Sequence, residues 1–252
     1  MKISVITITY NAARGLQRTL DSVAAQSYTD KEHLIIDGVS SDGTLPMAWS
    51  YKEKCDYPVV VQSEPDKGLY DAMNKGLQLA SGDYLVFLNA GDTLHAPDTL
   101  EIVAQTAHHP SPLPPAVIYG DTAITDQEGR YLHQRRLRPP RQLSWRSFRL
   151  GMLVCHQAFY VRREIAREVA YDLRYRYSAD VDWCIRVMKE AERRGMPLVD
   201  THATLCDFEE GGSTTRHHRA SLLERFRVMS RHYGLPQTIL LHLWFVVKGK
   251  RG

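Results

Sequence analysis

Three groups of carboxylates follow apolar runs in this chain, and each has a chemistry open to it. Asn89-Ala90-Gly91-Asp92 comes directly after the run 84–88. A carboxylate at such a turn can bind a hard divalent cation, Mg2+ or Mn2+, through oxygen, and a cation held there neutralises phosphate charge. The same four residues also make a plain turn. Asp37-Gly38-Val39-Ser40-Ser41-Asp42-Gly43-Thr44 follows the run 33–36. Asp37 can accept hydrogen bonds from a base or ribose, the two glycines permit tight turns, and Asp42 reads equally well as a helix cap. Ser178-Ala179-Asp180-Val181-Asp182 opens a long helical stretch. Either aspartate suits the positive end of a helix dipole, and a carboxylate within reach of a hydroxyl can remove its proton. Asp180 is the expected base and Asp182 its rival. His156 and Gln157, just before an apolar run, are candidates for the same site. The segment 208–215 is rich in glycine and hydroxyls, so its amides can hold phosphate or simply form a surface loop. His217-His218 lacks partners at metal spacing.

These residues need elements to position them. Short β-branched apolar runs at 3–8, 33–36, 57–61 and 84–88 read as buried strands. Helical spacing of apolar residues marks 12–26, a stretch around 47–52, 69–79 and 97–106. This alternation predicts an α/β fold with a mostly parallel sheet covered by helices on both faces. Ligands of such sheets bind beyond the carboxyl ends of the strands. The residues found there are Thr9-Tyr10-Asn11, Asp37-Gly38, Glu64-Pro65-Asp66 and Asn89 to Asp92, and their convergence carries more weight than any single motif. Further along, 116–119 and 159–161 read as strands, 121–138 as a hairpin turning at 127–129, 179–194 as a long helix, 205–208 as a short strand and 222–232 as a helix.

The bulk composition sets bounds. With 252 residues, 43% hydrophobic and 24% charged, the chain can bury a core without a stabilising metal or disulfide. A net charge of +3 is too small to imply nucleic acid. Cys55, Cys155, Cys184 and Cys206 are scattered, with no zinc or disulfide spacing. The N-terminus enters a strand at once, without the layout of an export signal, so a cytoplasmic location is expected. Six arginines between 135 and 149 read as a solvated face or as a contact for phosphates or an anionic surface.

The order and spacing of these motifs over residues 2–92 resemble the family-2 inverting glycosyltransferases, which have the GT-A fold. Ile6-Thr7-Ile8-Thr9-Tyr10-Asn11 is similar to that family's first strand and nucleotide loop, and Asp37 with Ser41-Asp42-Gly43-Thr44 to its D-x-x-S-x-D-G-T segment. Asn74-Lys75-Gly76 and Ala80-Ser81-Gly82-Asp83-Tyr84, running on to Phe87-Leu88-Asn89, follow its N-x-G, A-x-G-D-Y and F-L-x pattern. Glu64 to Gly76, Asn89 to Asp92, His156-Gln157-Ala158 and Gly211-Gly212-Ser213 are similar to the colanic-acid-type transferases of exopolysaccharide assembly. The resemblance implies a GT-A domain over 1–215, divided near residue 100 into donor and acceptor halves, and transfer of a sugar from a nucleoside-diphosphate sugar to a glycan or lipid-linked acceptor. It implies that Thr9, Tyr10, Asp37, Asp66 and Asn74 lie near the nucleotide, that Asp92 ligates the metal and that Asp180 is the base. The chain departs from the family at two positions. Asn89 stands where an aspartate is usual, which weakens cation binding, and Met73 stands where an arginine is usual, which leaves Lys67 or Lys75 to supply the positive charge.

Two other functions compete. A nucleotidyltransferase also uses a nucleotide-binding α/β sheet, but it puts a glycine-rich, basic loop after the first strand, where this chain has Thr9-Tyr10-Asn11-Ala12-Ala13. A non-catalytic sugar-nucleotide binder is compatible with Asn89 and disfavoured by Asp92 and Asp180. The segment 216–252 is expected to be helical. Its apolar run 235–247 is shorter than the about twenty residues that span a bilayer; with Trp244, Lys248, Lys250 and Arg251 it suits the membrane surface, at the inner face of the cytoplasmic membrane, and it reads equally well as a helix packed on the domain.

Overall fold

The computed structural model describes residues 1–211 and 218–249. Its centre is a parallel quartet: β1 (Ile3–Thr9), β2 (Lys31–Asp37), β3 (Val59–Ser63) and β4 (Tyr84–Phe87). All residues of β1, β2 and β4 are buried. This explains why they read as continuous apolar runs, since both faces of the sheet are covered. The covering helices are α1 (Ala13–Ala24), α2 (Thr44–Lys54) and α3 (Leu69–Leu79). The order β3-β2-β1-β4 reverses direction at β1, so a crevice opens beyond the carboxyl ends of β1 and β4.

The second half of the chain extends this sheet. It contributes β5 (Thr93–Leu94), α4 (Thr99–Thr106), β6 (Val117–Thr125), β7 (Tyr131–Gln134), β8 (Phe159–Arg162), α5 (Arg163–Glu168), α6 (Ala179–Arg194) and β9 (Leu198–Glu209). β8 lies antiparallel between β4 and β6, and β6 runs parallel to β9. Two 3-10 turns, Trp145–Leu150 and His156–Ala158, precede β8. The helices α7 (His218–Tyr233) and α8 (Leu235–Gly249) end the described chain.

Two strands are longer than the sequence suggests. β6 continues through Asp121, and β9 has twelve residues where four were expected. The β6–β9 ladder shifts register on both sides of Asp121, and His202 has a positive φ of 56°. Such irregularity breaks the period-2 pattern on which strand recognition rests. The expected hairpin forms between β6 and β7, turning through Gly129 at φ 82°.

Beneath the crevice lies an aromatic stack. Tyr171 stacks on Trp183 at 4.8 Å and on Tyr70 at 5.5 Å, and Phe87 meets both Tyr171 and Trp183 edge-on. Offset and T-shaped pairs of this kind stabilise beyond their buried area, and they give the site above a rigid floor. Among the described residues, no helix is long and apolar enough to cross a membrane.

Candidate active site

At the ends of β1 and β2, Asp37 is 1% exposed and accepts four hydrogen bonds. Thr9 Oγ1 (3.0 Å) and Ser40 Oγ (2.5 Å) donate to Oδ1, and Ser40 N (3.0 Å) and Ser63 Oγ (2.7 Å) donate to Oδ2. Burial pushes its carboxyl up, but these donors outweigh burial and hold it below the usual range. Thr9 and Asp37 therefore tie the two strand ends together, and a nucleotide would have to displace one of these donors to reach the carboxylate. Asn11 continues the tie: its N–H donates to Ser40 Oγ, and its Oδ1 accepts from Ser41 N at 2.9 Å. Asn11 and the β-branched Val39 both have positive φ, at 47° and 62°. For Val39 this is genuine strain, the kind that surrounding structure maintains at binding loops. Tyr10 is 68% exposed, free to stack on a base. A Cβ on Gly38 would come within 2.6 Å of Asp66 Oδ2 and 3.3 Å of the Tyr10 ring, so a side chain there would push these two side chains aside.

Other predicted residues serve the framework. Asn74 donates to Tyr171 O at 3.1 Å and accepts from Tyr171 N at 2.7 Å, so both amide atoms clamp α3 to the segment before α6. Lys75 pairs with Glu64 at 2.9 Å and donates to Pro65 O. Lys67 is exposed, and its backbone N–H donates to Asp71.

The turn from Asn89 to Asp92 is held by groups that sequence reasoning passed over. Thr19, fully buried in α1, accepts from Gly91 N at 3.0 Å and donates to Asp92 O at 2.7 Å. Arg18 donates to Gly91 O and pairs with Glu209 at the end of β9, both at 2.7 Å. A Cβ on Gly15 would lie 3.0 Å from Gly91 Cα, so α1 touches the turn closely. Thr19 belongs to the buried stripe of α1, where it reads as ordinary core. No local signal marks it as a clamp.

Asp92 itself is 4% exposed. Its Oδ2 accepts from Gln157 Nε2 at 2.7 Å and its Oδ1 from Glu209 N at 3.0 Å. Burial raises its pKa to about 6 against these two donors. Asn89 Nδ2 lies 3.3 Å from His156 Nε2, and Asn89 Oδ1 is buried without a partner. With the amide nitrogen as donor, Nε2 accepts, and the ring proton is on Nδ1, which stands 3.5 Å from Asp180 Oδ2. Tyr70 OH donates to Asp180 Oδ1 at 3.2 Å. Burial raises the Asp180 pKa, but His156, the Val181 N–H and the charge of Arg225 together bring it below the ordinary value. A continuous path thus runs from the turn through Asn89 and His156 to an ionised Asp180.

Asp182 faces elsewhere. It is 0% exposed, pairs with Arg186 at 2.6 Å and meets His232 of α7 at 2.8 Å. Asp180 alone of the two aspartates faces the crevice. Glu224 of α7 accepts from three successive backbone N–H groups, those of Arg176, Tyr177 and Ser178, at 2.9, 2.7 and 3.1 Å, which fixes the entry to α6. Residues 212–215, His217, Lys250 and Arg251, all named as candidates above, lie outside the described residues.

Among the described residues, no three His, Cys, Asp or Glu side chains stand close enough together to hold a metal. The orphaned Asn89 Oδ1, a hard neutral oxygen beside the Asp92 turn, nevertheless fits a cation shared with a ligand's phosphates. Mg2+ and Mn2+ are bound in this way, by one or two carboxylates with the rest of the shell from phosphate and water.

Comparison with known proteins bears on what this arrangement does. The chain is 38% identical over 186 residues to a PGL/p-HBAD biosynthesis glycosyltransferase of Mycobacterium bovis, covering 73% of this chain and 68% of the relative. It is 28% identical over 197 residues to the amylovoran biosynthesis glycosyltransferase AmsB of Erwinia amylovora, covering 75% of this chain and 64% of AmsB. The solved structure of the mannosyltransferase PcManGT from Pyrobaculum calidifontis, in complex with GDP-Man and Mn2+, shares the fold at a TM-score of 0.63 and 16% identity, over 97% of this chain and 75% of that one. Residues 4–170 match Glycosyl transferase family 2. This chain belongs to that family and is a glycosyltransferase.

Proposed function

We propose that this enzyme transfers a sugar from a nucleoside-diphosphate sugar to an acceptor hydroxyl in one displacement, with inversion, during synthesis of a cell-surface glycan. The observation that carries this reading is Asp180, ionised and held between Tyr70 and His156 at the end of the path from the Asn89–Asp92 turn. Its carboxylate removes the acceptor's proton as the hydroxyl oxygen bonds to the anomeric carbon, and the bond from that carbon to the diphosphate breaks. Tyr70 and His156 orient the carboxylate, leaving its remaining lone pairs for the acceptor. Tyr10 and Asp66 would border the nucleotide, and Asn89 and Asp92 would hold the cation. When bound, Mg2+ or Mn2+ neutralises charge on the departing diphosphate.

The reading is tested by diphosphate release from sugar nucleotides presented with candidate acceptors. Asp180→Asn is expected to lower transfer by about 10²–10⁴ while still binding the nucleoside diphosphate. Transfer by this variant at the wild-type rate would rule out Asp180 as the base.

A second element of the proposal is peripheral attachment to an anionic membrane surface, where a lipid-linked acceptor would be presented. Its support is an exposed apolar stripe on α8, formed by Leu235, Ile239, Leu240 and Leu243, with Leu222 and Leu223 exposed on α7. Co-sedimentation with phospholipid vesicles tests this element separately.

A further inference from the structure

The arginines between 135 and 149 do not form one basic face. Arg135 donates to Leu137 O at 2.8 Å and to Met152 O at 2.7 Å, Arg138 pairs with Asp121, and Arg146 pairs with Glu192 at 2.7 Å. Arg136, Arg141 and Arg149 are exposed, and among the described residues none of the three has a hydrogen bond or ion pair. Arg149 also lines a cleft, on the side of α6 that carries Asp182 and away from Asp180.

We propose that this cleft is a binding site for a phosphate monoester. It lies between the 3-10 turn Trp145–Leu150, the end of α7 and the start of α8. Its volume is about 200 Å3, and it is lined by Trp145, Arg146, Arg149, His232, Tyr233 and Gln237. At roughly 30 Å3 per water, that is room for about six water-sized groups, enough for a phosphate.

The walls are aromatic and the charge around them is positive. The rings of Trp145 and Tyr233 stack at 5.7 Å. The Arg146 guanidinium and the Lys189 ammonium of α6 each stand 4.4 Å from the centre of the Trp145 ring. Lys189 Nζ is also 3.1 Å from His232 Nδ1. An ammonium only donates, so Nδ1 accepts, and the ring proton is on Nε2, 2.8 Å from Asp182 Oδ1. Among the described residues Lys189 forms no ion pair, and burial pushes its pKa down. The charge of Arg149 reaches the Tyr233 hydroxyl, where it opposes the effect of burial.

The carboxylates nearby are already engaged. Glu192 accepts from Arg146 and, at 2.8 Å, from Trp145 Nε1, while Asp182 is matched by Arg186. Arg146, Arg149 and Lys189 set against Glu192 leave an excess of about two positive charges, which suits the charge of about −1.5 to −2 on a phosphate monoester at neutral pH. Low-dielectric walls concentrate the field of these cations in the cleft. The Arg149 fork, with its donors free, matches phosphate oxygens in geometry.

The test has two arms, each run on wild type, Arg149→Gln, Lys189→Gln and Arg141→Gln. The first is calorimetric titration with glycerol 3-phosphate, a soluble monoester, in metal-free buffer, so that no cation at the Asn89–Asp92 turn can recruit the phosphate. The second is co-sedimentation with phosphatidylcholine vesicles carrying phosphatidic acid, whose headgroup is the same monoester, or an equal content of the diester phosphatidylglycerol. Arg149→Gln should weaken binding by about tenfold or more, the scale of one lost charge-assisted hydrogen bond. Lys189→Gln should weaken it as well. Arg141→Gln removes an exposed charge that does not line the cleft, and should bind as wild type does. Melting temperatures check folding, and if Lys189→Gln does not fold, Arg149→Gln against Arg141→Gln makes the comparison. A loss seen with glycerol 3-phosphate supports the site and assigns it to soluble phosphates. A loss confined to phosphatidic acid vesicles supports it and assigns it to a lipid headgroup. Equal affinity of Arg149→Gln and wild type in both arms overturns the inference, as does an equal loss in Arg141→Gln. So does a wild type that binds no glycerol 3-phosphate and prefers phosphatidic acid no more than phosphatidylglycerol.

Discussion

Asp180 and Asp182 are two positions apart on one helix, and at about 100° per residue their side chains point about 200° apart. They cannot serve one site, and their partners show how they divide. Asp180 meets Tyr70 and His156, whereas Asp182 is buried against Arg186 and His232. Replacing Asp180 with Asn should lower kcat by about 10²–10⁴ with little change in melting temperature, since a positioned base contributes on that scale. Replacing Asp182 with Asn should do the reverse. It breaks a buried ion pair and leaves Arg186 unbalanced, at a cost of about 3 kcal/mol, while kcat per folded molecule stays close to wild type. Melting curves and initial rates on both variants separate the two roles. The sequence placed both residues at the start of α6 and put Asp180 ahead of Asp182 without excluding it, because what separates them depends on which neighbours arrive from α3, the turn before β8, and α7. Asn74 is the complementary case. Its type and position fit a ligand contact, yet its amide is matched atom for atom to the backbone of Tyr171, a pairing that exists only once the chain has folded.

Elements carry the precision of the site. The strand ends were legible because buried β-branched runs punctuated by polar turns have few other readings, and α1 was legible from its apolar stripe. What α1 does was not legible, because Thr19 sits on that stripe among Leu16, Leu20 and Val23. Its hydroxyl accepts from Gly91 N and donates to Asp92 O. Thr19→Val keeps the shape, removes both bonds and leaves a buried N–H unpaired. It should cost about 2 kcal/mol, and it should weaken Mn2+-supported nucleotide binding because the turn loses its register. An unchanged nucleotide affinity in Thr19→Val would show that the turn does not depend on α1. β2 contributes a pH limit. His33 is buried between Thr7 and Tyr51, and burial pushes its pKa down from 6.5 to about 3. The folded state resists a proton that the unfolded chain accepts, so stability is full above about pH 6.5 and falls as pH drops toward 3, by up to roughly 5 kcal/mol. His33→Gln should flatten that acid limb, as followed by chemical denaturation between pH 7 and pH 4.

At the scale of the whole molecule, the proposed membrane attachment depends on how α7 and α8 are joined to the domain. The sequence suggested a helical segment added after the domain. In the structure α7 is fastened to the domain through Glu224 and His232, which meet the chain on either side of Asp180, at Tyr177 and Asp182. With α7 fastened in this way, the orientation of α8 relative to the crevice is fixed, and so is the stripe of Leu235, Ile239, Leu240 and Leu243. These four residues recur at i, i+4, i+5 and i+8, so they share one face. The exposed Arg149 lines a cleft with Gln237 of α8, which lies off that face. Partial insertion of each leucine contributes on the order of 1 kcal/mol, within the 1.5–3 kcal/mol of full burial, and a basic residue near an anionic surface adds about 1 kcal/mol. The sum supports reversible binding rather than permanent anchoring. Wild type should therefore co-sediment with vesicles containing phosphatidylglycerol, more weakly with pure phosphatidylcholine, and less at high salt. Leu240→Glu with Leu243→Glu should release it from both while leaving transfer to a soluble acceptor unchanged, because neither residue is part of the catalytic site. If the double variant still sediments as wild type does, α8 is not the attachment surface. If it loses activity on soluble acceptors as well, the stripe is part of the fold and not a face held open for lipid.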